Sequence, residues 1–312
     1  MSTPRRTPLA IFAFRRPDHL QRLLNSVSAC PRLEECAPII FCDGPRGPDD
    51  ADAVEATRKV AREWAAAHDA KVIERPENKG LARSIVGEVT ALCAEHGRVI
   101  VLEDDLEVSP DFLRYMLSAL DRYGDYCDVL QVSGFMYPID HFDSRETFFL
   151  PLATTWGWAT WAHTWKRFSW EAPGLDSRLI DEKSQRRFNL DDSYDYLGLL
   201  RARLRGENDS WGVLWQWAVY ASGCSVLHPR TTLVKNHGYD GSGTHCGNLT
   251  PEPAQPFAPF PAEIRWPEEP IDKAAFDRIK DYLWSRQPRS LRQRLRRRFD
   301  KWLKKVVASP IE

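Results

Sequence analysis

The chain has 312 residues, enough for one large domain or two smaller ones with a sizeable core. Its 43 basic and 44 acidic residues nearly cancel, so a general polyanion binder is excluded and no nucleic-acid partner is expected. No run of about 18 apolar residues occurs, so no membrane span is expected. The seven scattered Cys, with no Cys-X-X-Cys pair, fit reduced thiols in a cytosol better than a disulfide framework or a zinc site.

Residues 8–14 (PLAIFAF) read as a first buried strand, too short a run for the usual context of a signal peptide. Arg15, Arg16 and Pro17 end it. A helix capped by Asp18 follows through Ser28, with Leu20, Leu23, Leu24 and Val27 on one face. Residues 37–42 (APIIFC) form a second strand that stops at Asp43-Gly44-Pro45, and 49–68 a second helix. Residues 71–74 are a short third strand, followed by the turn Asn78-Lys79-Gly80 and an amphipathic helix over 81–96. A fourth strand, 98–102, runs into Glu103-Asp104-Asp105, and Ser109-Pro110-Asp111 opens the next helix with a cap and a proline. This alternation predicts a doubly wound, mostly parallel α/β sheet flanked by helices, with right-handed crossovers.

Beyond residue 123 the pattern changes. Strands are expected over 128–135 and 147–152. The segment 154–170 (TTWGWATWAHTWKRFSW) is rich in rings whose later members follow helical spacing. Most of the twelve Trp fall between Trp156 and Trp217. Of these, 156, 158, 161 and 211 are candidates for a sugar-stacking floor and, equally, for core. A helix is expected over 211–221, short strands over 225–227 and 231–234, and a glycine-rich loop over 236–248. Residues 250–271 hold seven prolines and read as an extended crossing segment. From Ser290 the residues Leu291, Leu295, Phe299, Trp302, Leu303 and Val306 recur at helical intervals among Arg and Lys. That is a basic amphipathic helix, read either as docked on the domain or as a contact for an anionic membrane surface through 290–307.

Three consecutive carboxylates after a buried strand call for positive charge. Hard oxygen ligands suit Mn²⁺ or Mg²⁺, and such clusters lie at the carboxyl edge, where open α/β sheets bind ligands. Arg15 or Arg16 at the end of strand one can face a phosphate or a base, and Asp43 at the end of strand two can accept from a base or ribose. Arg83, in the first turn of its helix, opposes the helix dipole and so points to an anionic ligand. Together they outline a pocket for a nucleotide diphosphate. His237 and His245 are weaker candidate metal ligands.

The order strand-Arg, strand-Asp, NKGLAR (78–83) and VLEDDLEVSPDFL (101–113), then TTWGWATWAHTW, DSWGVLWQW and NHGYDGSGTHCG, resembles glycosyltransferases of the GT-A type over roughly residues 8–248. The eukaryotic N-acetylglucosaminyltransferase that acts on N-glycan mannose, with its bacterial relatives, is the nearest likeness. The resemblance implies a metal-dependent, inverting transfer from a nucleotide-diphosphate sugar, UDP-linked, to a hydroxyl of a glycan or glycolipid. It places the metal on Asp105 and the ribose, diphosphate waters or donor sugar on Asp104 and Glu103. It puts donor contacts on Arg16, Asp43 and Arg83, and on Thr244 and His245 in a closing loop. The family's catalytic base directly follows a Trp. Here Trp211 is followed by Gly212, so the role is carried to Asp209, with Glu207 and Asp240 as substitutes; Asp209 can also cap the helix that follows it.

The expected organisation is one GT-A-like domain over 1–249, with a nucleotide-binding half to residue 125 and an acceptor half with its closing loop from 126. A Pro-rich segment and helix follow over 250–289, then the basic helix over 290–312. The expected location is the cytoplasm, at the inner face of the cell membrane. The alternatives are a non-catalytic sugar- or nucleotide-binding scaffold of the same fold, or a sugar nucleotidyltransferase. The second lacks the glycine-rich phosphate loop that should follow strand one.

Overall fold

A computed structural model describes residues 6–139, 146–241, 256–267 and 271–287. Thr244, His245 and the basic helix over 290–312 lie outside the described residues. Ten strands are described: β1 (Thr7–Ala13), β2 (Cys36–Cys42), β3 (Lys71–Glu74), β4 (Arg98–Glu103), β5 (Leu106–Val108), β6 (Val129–Ser133), β7 (Thr147–Leu150), β8 (Trp158–Trp161), β9 (Ser225–Pro229) and β10 (Val234–Asn236). The helices are α1 (Pro17–Ser28), α2 (Ala51–His68), α3 (Leu81–His96), α4 (Phe112–Arg122), α5 (Ala162–Trp165), α6 (Leu175–Arg178), α7 (Glu182–Phe188), α8 (Tyr196–Leu204), α9 (Trp211–Ser222) and α10 (Lys273–Ser285).

Eight strands form one sheet in the order β3-β2-β1-β4-β8-β6-β9-β7. The first four are parallel, as the alternation requires. β8 runs antiparallel between β4 and β6, and β7 antiparallel to β9, so six of the eight point one way. β1 is buried along its whole length because helices cover both faces. Its side chains alternate: Leu9, Ile11 and Ala13 pack with α1, α2 and α4, whereas Ala10 and Phe12 pack with α3 and α9. β4 alternates likewise, with Ile100 and Leu102 on one face and Val99 and Val101 on the other. The edges are handled differently. β3 is largely exposed and ends on charged Lys71 and Glu74, which discourages further pairing. β7 is buried because Ala275, Ile279 and Leu283 of α10 cover Phe148 and Leu150.

Several boundaries differ from the sequence reading. In the aromatic stretch 154–170 the helical spacing of the later rings does not translate into a continuous helix. Instead it yields β8 and a single helical turn, α5: every residue of β8 is buried, with Trp158 packed on one face of the sheet and Ala159 and Trp161 on the other. α4 begins at Phe112, not at Pro110: the Phe112 N–H donates to the Ser109 carbonyl, and Ser109 Oγ is occupied by the Asp111 N–H. α1 begins at Pro17, so Asp18 sits within its first turn instead of capping it. Ser210, not Asp209, occupies the position before α9, with no side-chain cap bond. Residues 256–267 contain no helix or strand and cross α4, where Phe260 and Trp266 pack against Tyr115. Among the described residues no helix is long and apolar enough to cross a membrane.

Candidate active site

Because β1–β4 are parallel, the segments after them emerge on one edge of the sheet. They carry Phe14–Arg16, Asp43–Gly47, Asn78–Gly80 and Glu103–Asp105. β6 runs the same way, and the antiparallel β8 begins on this edge, so residues 134–139 and Thr155–Gly157, just before β8, lie there too.

The acidic cluster is held from both sides. The Asp104 N–H donates to the Phe12 carbonyl, which extends the β1–β4 pairing by one residue. The Asp104 carboxylate then accepts from the Phe14 N–H (3.2 Å) and from Arg16, whose Nη2 also lies 3.1 Å from Asp105 Oδ2. Arg16 therefore sits inside the cluster as its counter-charge, a role the sequence reading had given to a metal ion. One guanidinium does not balance three carboxylates. Burial, together with Asp105 and Asp104, pushes the Glu103 carboxyl up to about 8. Burial also raises Asp104, although Arg16 opposes the shift. Glu103 makes no hydrogen bond through its side chain among the described residues.

A loop after β10 closes over this cluster. β10 pairs antiparallel with β5, and the His237 N–H then donates to the Asp105 carbonyl at 2.8 Å. Gly238 lies so close that a Cβ there would fall 2.5 Å from Asp105 Oδ2. His237 Nε2 is 2.7 Å from Glu107 Oε2, and His19 of α1 reaches Asp240 at 3.2 Å. The sequence reading missed His19 and Glu107. Neither has a local signal, since each meets the loop only through the β5–β10 pairing. Among the described residues no three His, Cys, Asp or Glu side chains converge as a metal cage.

The nucleotide side is shaped by a clamp. Asp43, 7% exposed, accepts from the Lys79 N–H (2.9 Å), the Gly80 N–H (3.1 Å) and its neighbour Gly44 (3.1 Å). It thus binds the loop that starts α3 and spends most of its lone pairs there. Asn78 Nδ2 returns a bond to the Gly44 carbonyl at 3.0 Å. Arg83 is exposed in the first turn of α3, where the helix carries no acidic residue. Beneath the clamp is Arg75, 5% exposed and bonded to Ser84 and to Glu88 (2.6 Å). Arg75 Nη1 lies 3.8 Å from Asp43. The sequence reading missed this buried cation; its only sign was a charge followed by Pro76 at the end of a short strand.

On the far side of β4 the tryptophans separate. Trp158, Trp161 and Trp211 are 0%, 3% and 5% exposed and belong to the core, so they form no stacking floor. Trp156 is half-buried, with its ring 4.5 Å from Phe135 and 6.0 Å from Tyr239. Asp209 is exposed just before α9. The first turn of α9 abuts the same edge, since a Cβ on Gly212 would lie 3.1 Å from Thr155 Cγ2. Glu207 is paired with Arg205 at 2.6 Å on the surface.

With this edge described, comparison with known proteins is decisive at the level of family. Residues 10–172 match glycosyl transferase family 2. The chain belongs to that family. No curated protein matches the sequence. Among solved structures it is similar to TarS of S. aureus, at 13% identity over 46% of this chain and 24% of TarS (TM-score 0.32). It is also similar to the mannosyltransferase PcManGT of Pyrobaculum calidifontis, solved with GDP-Man and Mn²⁺, at 11% identity over 71% and 75% of the two chains (TM-score 0.38). A third is glucosyl-3-phosphoglycerate synthase of Mycobacterium tuberculosis, solved with Mn²⁺, UDP and glucosyl-3-phosphoglycerate, at 14% identity over 41% and 43% (TM-score 0.29). The chain thus spans about a quarter of the length of TarS.

Proposed function

We propose that this glycosyltransferase uses a divalent cation, Mn²⁺ or Mg²⁺, and transfers a sugar with inversion from a UDP-sugar to a hydroxyl of a glycan or glycolipid. The observation that carries this reading is the excess of carboxylate charge at the end of β4, where Glu103, Asp104 and Asp105 face a single guanidinium. The residues fit a cation that keeps waters and substrate phosphates as ligands. Such an ion needs only one or two protein carboxylates. Asp105 would hold it, oriented by Arg16, and Asp104 would stay locked to Phe14 and Arg16. When bound, the cation screens the charge on the diphosphate leaving group.

The chain's own residues do the rest. Asp43 clamps residues 79–80, so the N-terminal amides of α3 and Arg83 present positive charge to the nucleotide. Glu103, at the end of β4 beside Asp105, hydrogen-bonds a hydroxyl of the donor sugar. Asp209 takes the proton from the acceptor hydroxyl as that oxygen attacks. We assign the nucleotide-binding half to residues 1–125 and the acceptor half, with its closing loop, to 126–249. We also assign the basic segment 290–307 to an anionic membrane surface at the inner face.

The test is a thermal shift screen of UDP-sugars with and without Mn²⁺, followed by donor hydrolysis. A true donor at a hundred times its Kd stabilises by about 2.7 kcal/mol through mass action. Asp105→Asn should abolish the metal-dependent part. A midpoint that no nucleotide sugar moves, in the presence of the metal, would refute the reading.

A further inference from the structure

We propose that Trp156 is the platform on which the acceptor's sugar ring stacks, which makes the acceptor a pyranoside. The inference rests on the reading above and deepens it. Four observations support it.

The first is position. β4 and β8 pair with Val101 opposite Trp158, and two more steps along that register lead to Glu103 and Trp156. Gly157, between them, leaves strand geometry at φ +59°, yet a Cβ on it would lie 3.3 Å from Leu102 Cδ2. Trp156 is tied to the cluster a second way, through Tyr239, two residues after the His237 N–H bonded to Asp105. The second is the side it occupies. β1, β2 and β3, with Asp43 and the start of α3, lie on one side of β4, and β8 lies on the other. A donor whose nucleotide and diphosphate are held on that side fills the space up to Asp105, which leaves the β8 side, with Trp156, for the acceptor.

The third is rigidity. The four residues from Pro151 to Thr154 have their backbone bonded by buried side chains from three elements. Gln216 of α9 donates to the Pro151 carbonyl (3.2 Å) and accepts from the Ala153 N–H (2.7 Å). His228 of β9 holds the Leu152 carbonyl (2.8 Å), and Gln131 of β6 donates to the Thr154 carbonyl (2.6 Å). Gln131 in turn accepts from Trp215 Nε1 at 2.6 Å. These three side chains are 2%, 0% and 0% exposed, respectively. Burying such groups is costly unless every partner is met, and the return is a loop fixed in one place. A segment that only filled core would need no such lattice; one that presents a ring in a set orientation does. The fourth is chemistry. Trp156 is half-buried, and the residue before it meets Gly212 in the first turn of α9, three residues beyond Asp209. The axial C–H groups of a pyranose form an apolar face that packs on an indole, while its hydroxyls stay free for a carboxylate.

The experiment is saturation-transfer NMR on the full chain with Mg²⁺, UDP and a panel of methyl pyranosides (gluco, galacto, manno and N-acetylglucosamine). In the wild type, at least one pyranoside should receive saturation on its ring C–H protons. Trp156→Ala should weaken its binding about tenfold, and Trp156→Phe much less. UDP signals should be unchanged in both variants, which also reports that they fold. UDP binding without any pyranoside signal in the wild type, or a pyranoside signal that survives Trp156→Ala, overturns the proposal and leaves the donor reading intact. Pyranoside binding lost in Trp156→Ala but kept in Trp156→Phe, with both variants unfolding cooperatively on heating as the wild type does and with no UDP binding in any form, supports the platform and overturns the donor reading. If Trp156→Ala instead removes saturation from the hexose of UDP-glucose with pyranosides absent, the platform serves the donor and the proposal fails.

Discussion

Replacing His228 with glutamine tests the lattice behind Trp156 through its acid sensitivity. The ring is fully buried, with Nε2 2.8 Å from the Leu152 carbonyl and Nδ1 3.2 Å from that of Phe135. Two carbonyl acceptors favour the doubly protonated ring, and burial favours the neutral one. Burial is the larger effect and lowers the pKa from 6.5 to about 4. The single proton of the neutral ring belongs on Nε2, at the shorter contact. Between pH 6.5 and 4 the unfolded chain binds a proton that the folded chain refuses. This contribution to stability is therefore complete above pH 6.5 and is lost as pH falls through about 4. At about 1.36 kcal/mol per pH unit the loss is about 3 kcal/mol. Glutamine keeps an N–H near the place of Nε2 and does not titrate, but it gives up ring packing worth about 1–2 kcal/mol. The variant should be less stable at pH 8, equal near pH 5 and more stable below that. Urea denaturation of both proteins from pH 8 to 4 reads the gap, and NMR titration of the ring reads the pKa directly. A gap that does not change with pH, or a ring pKa above 6.5, would refute the reasoning, since the two carbonyls would then outweigh burial.

Gly44→Ala should cost more than about 2 kcal/mol, because its Cβ would overlap the backbone of Glu77, which has no side-chain freedom to yield. It should also weaken UDP binding measured by calorimetry; unchanged stability and affinity would show that the clamp is not tight. Arg16→Met leaves Asp104 and Asp105 without a counter-charge, a loss of about 3 kcal/mol at pH 7.5. The loss should shrink as pH falls, because the Asp104 carboxyl, already raised by burial and now without Arg16 to oppose the shift, takes up a proton more readily in the folded state; equal losses at pH 7.5 and 5.5 in denaturation curves would count against it. Asp209→Asn should lower kcat by about 10²–10⁴-fold while leaving donor affinity unchanged in steady-state assays. Near-normal turnover would move the base role to another group.

The nucleotide-side half was legible because its signals are local. β1, β2 and β4 are apolar runs whose last residues turn polar at the strand end, and Asp43 and Glu103–Asp105 could be placed on one edge from strand order alone. The other half was not. β8 adds an antiparallel strand beside β4 from a segment whose Trp spacing looked helical, because every residue of β8 is buried and the alternation that marks a strand is hidden. Trp156 and Trp158 are chemically alike and two residues apart, and only the pairing with β4 separates the half-buried ring from the core one. Arg16 was read as a ligand contact because a sequence does not show that its partners are the carboxylates ninety residues later.

That pairing sharpens why donor and cation should bind together. With Glu103 holding its proton near neutral pH, as its pKa of about 8 favours, the cluster carries two carboxylates and one guanidinium, a net single negative charge. A nucleotide-sugar diphosphate brings about two more negative charges, and like charges at a few ångströms inside a protein repel by several kcal/mol at an effective dielectric near 20. A divalent cation turns the cluster positive by one, so repulsion becomes attraction of similar size. The order of events follows from the sign. Cation and diphosphate each bind poorly alone and well together, so UDP titrated against a series of Mn²⁺ concentrations should show an affinity that rises with the metal. Tight UDP binding in the presence of a chelator would overturn this charge argument without touching the family assignment.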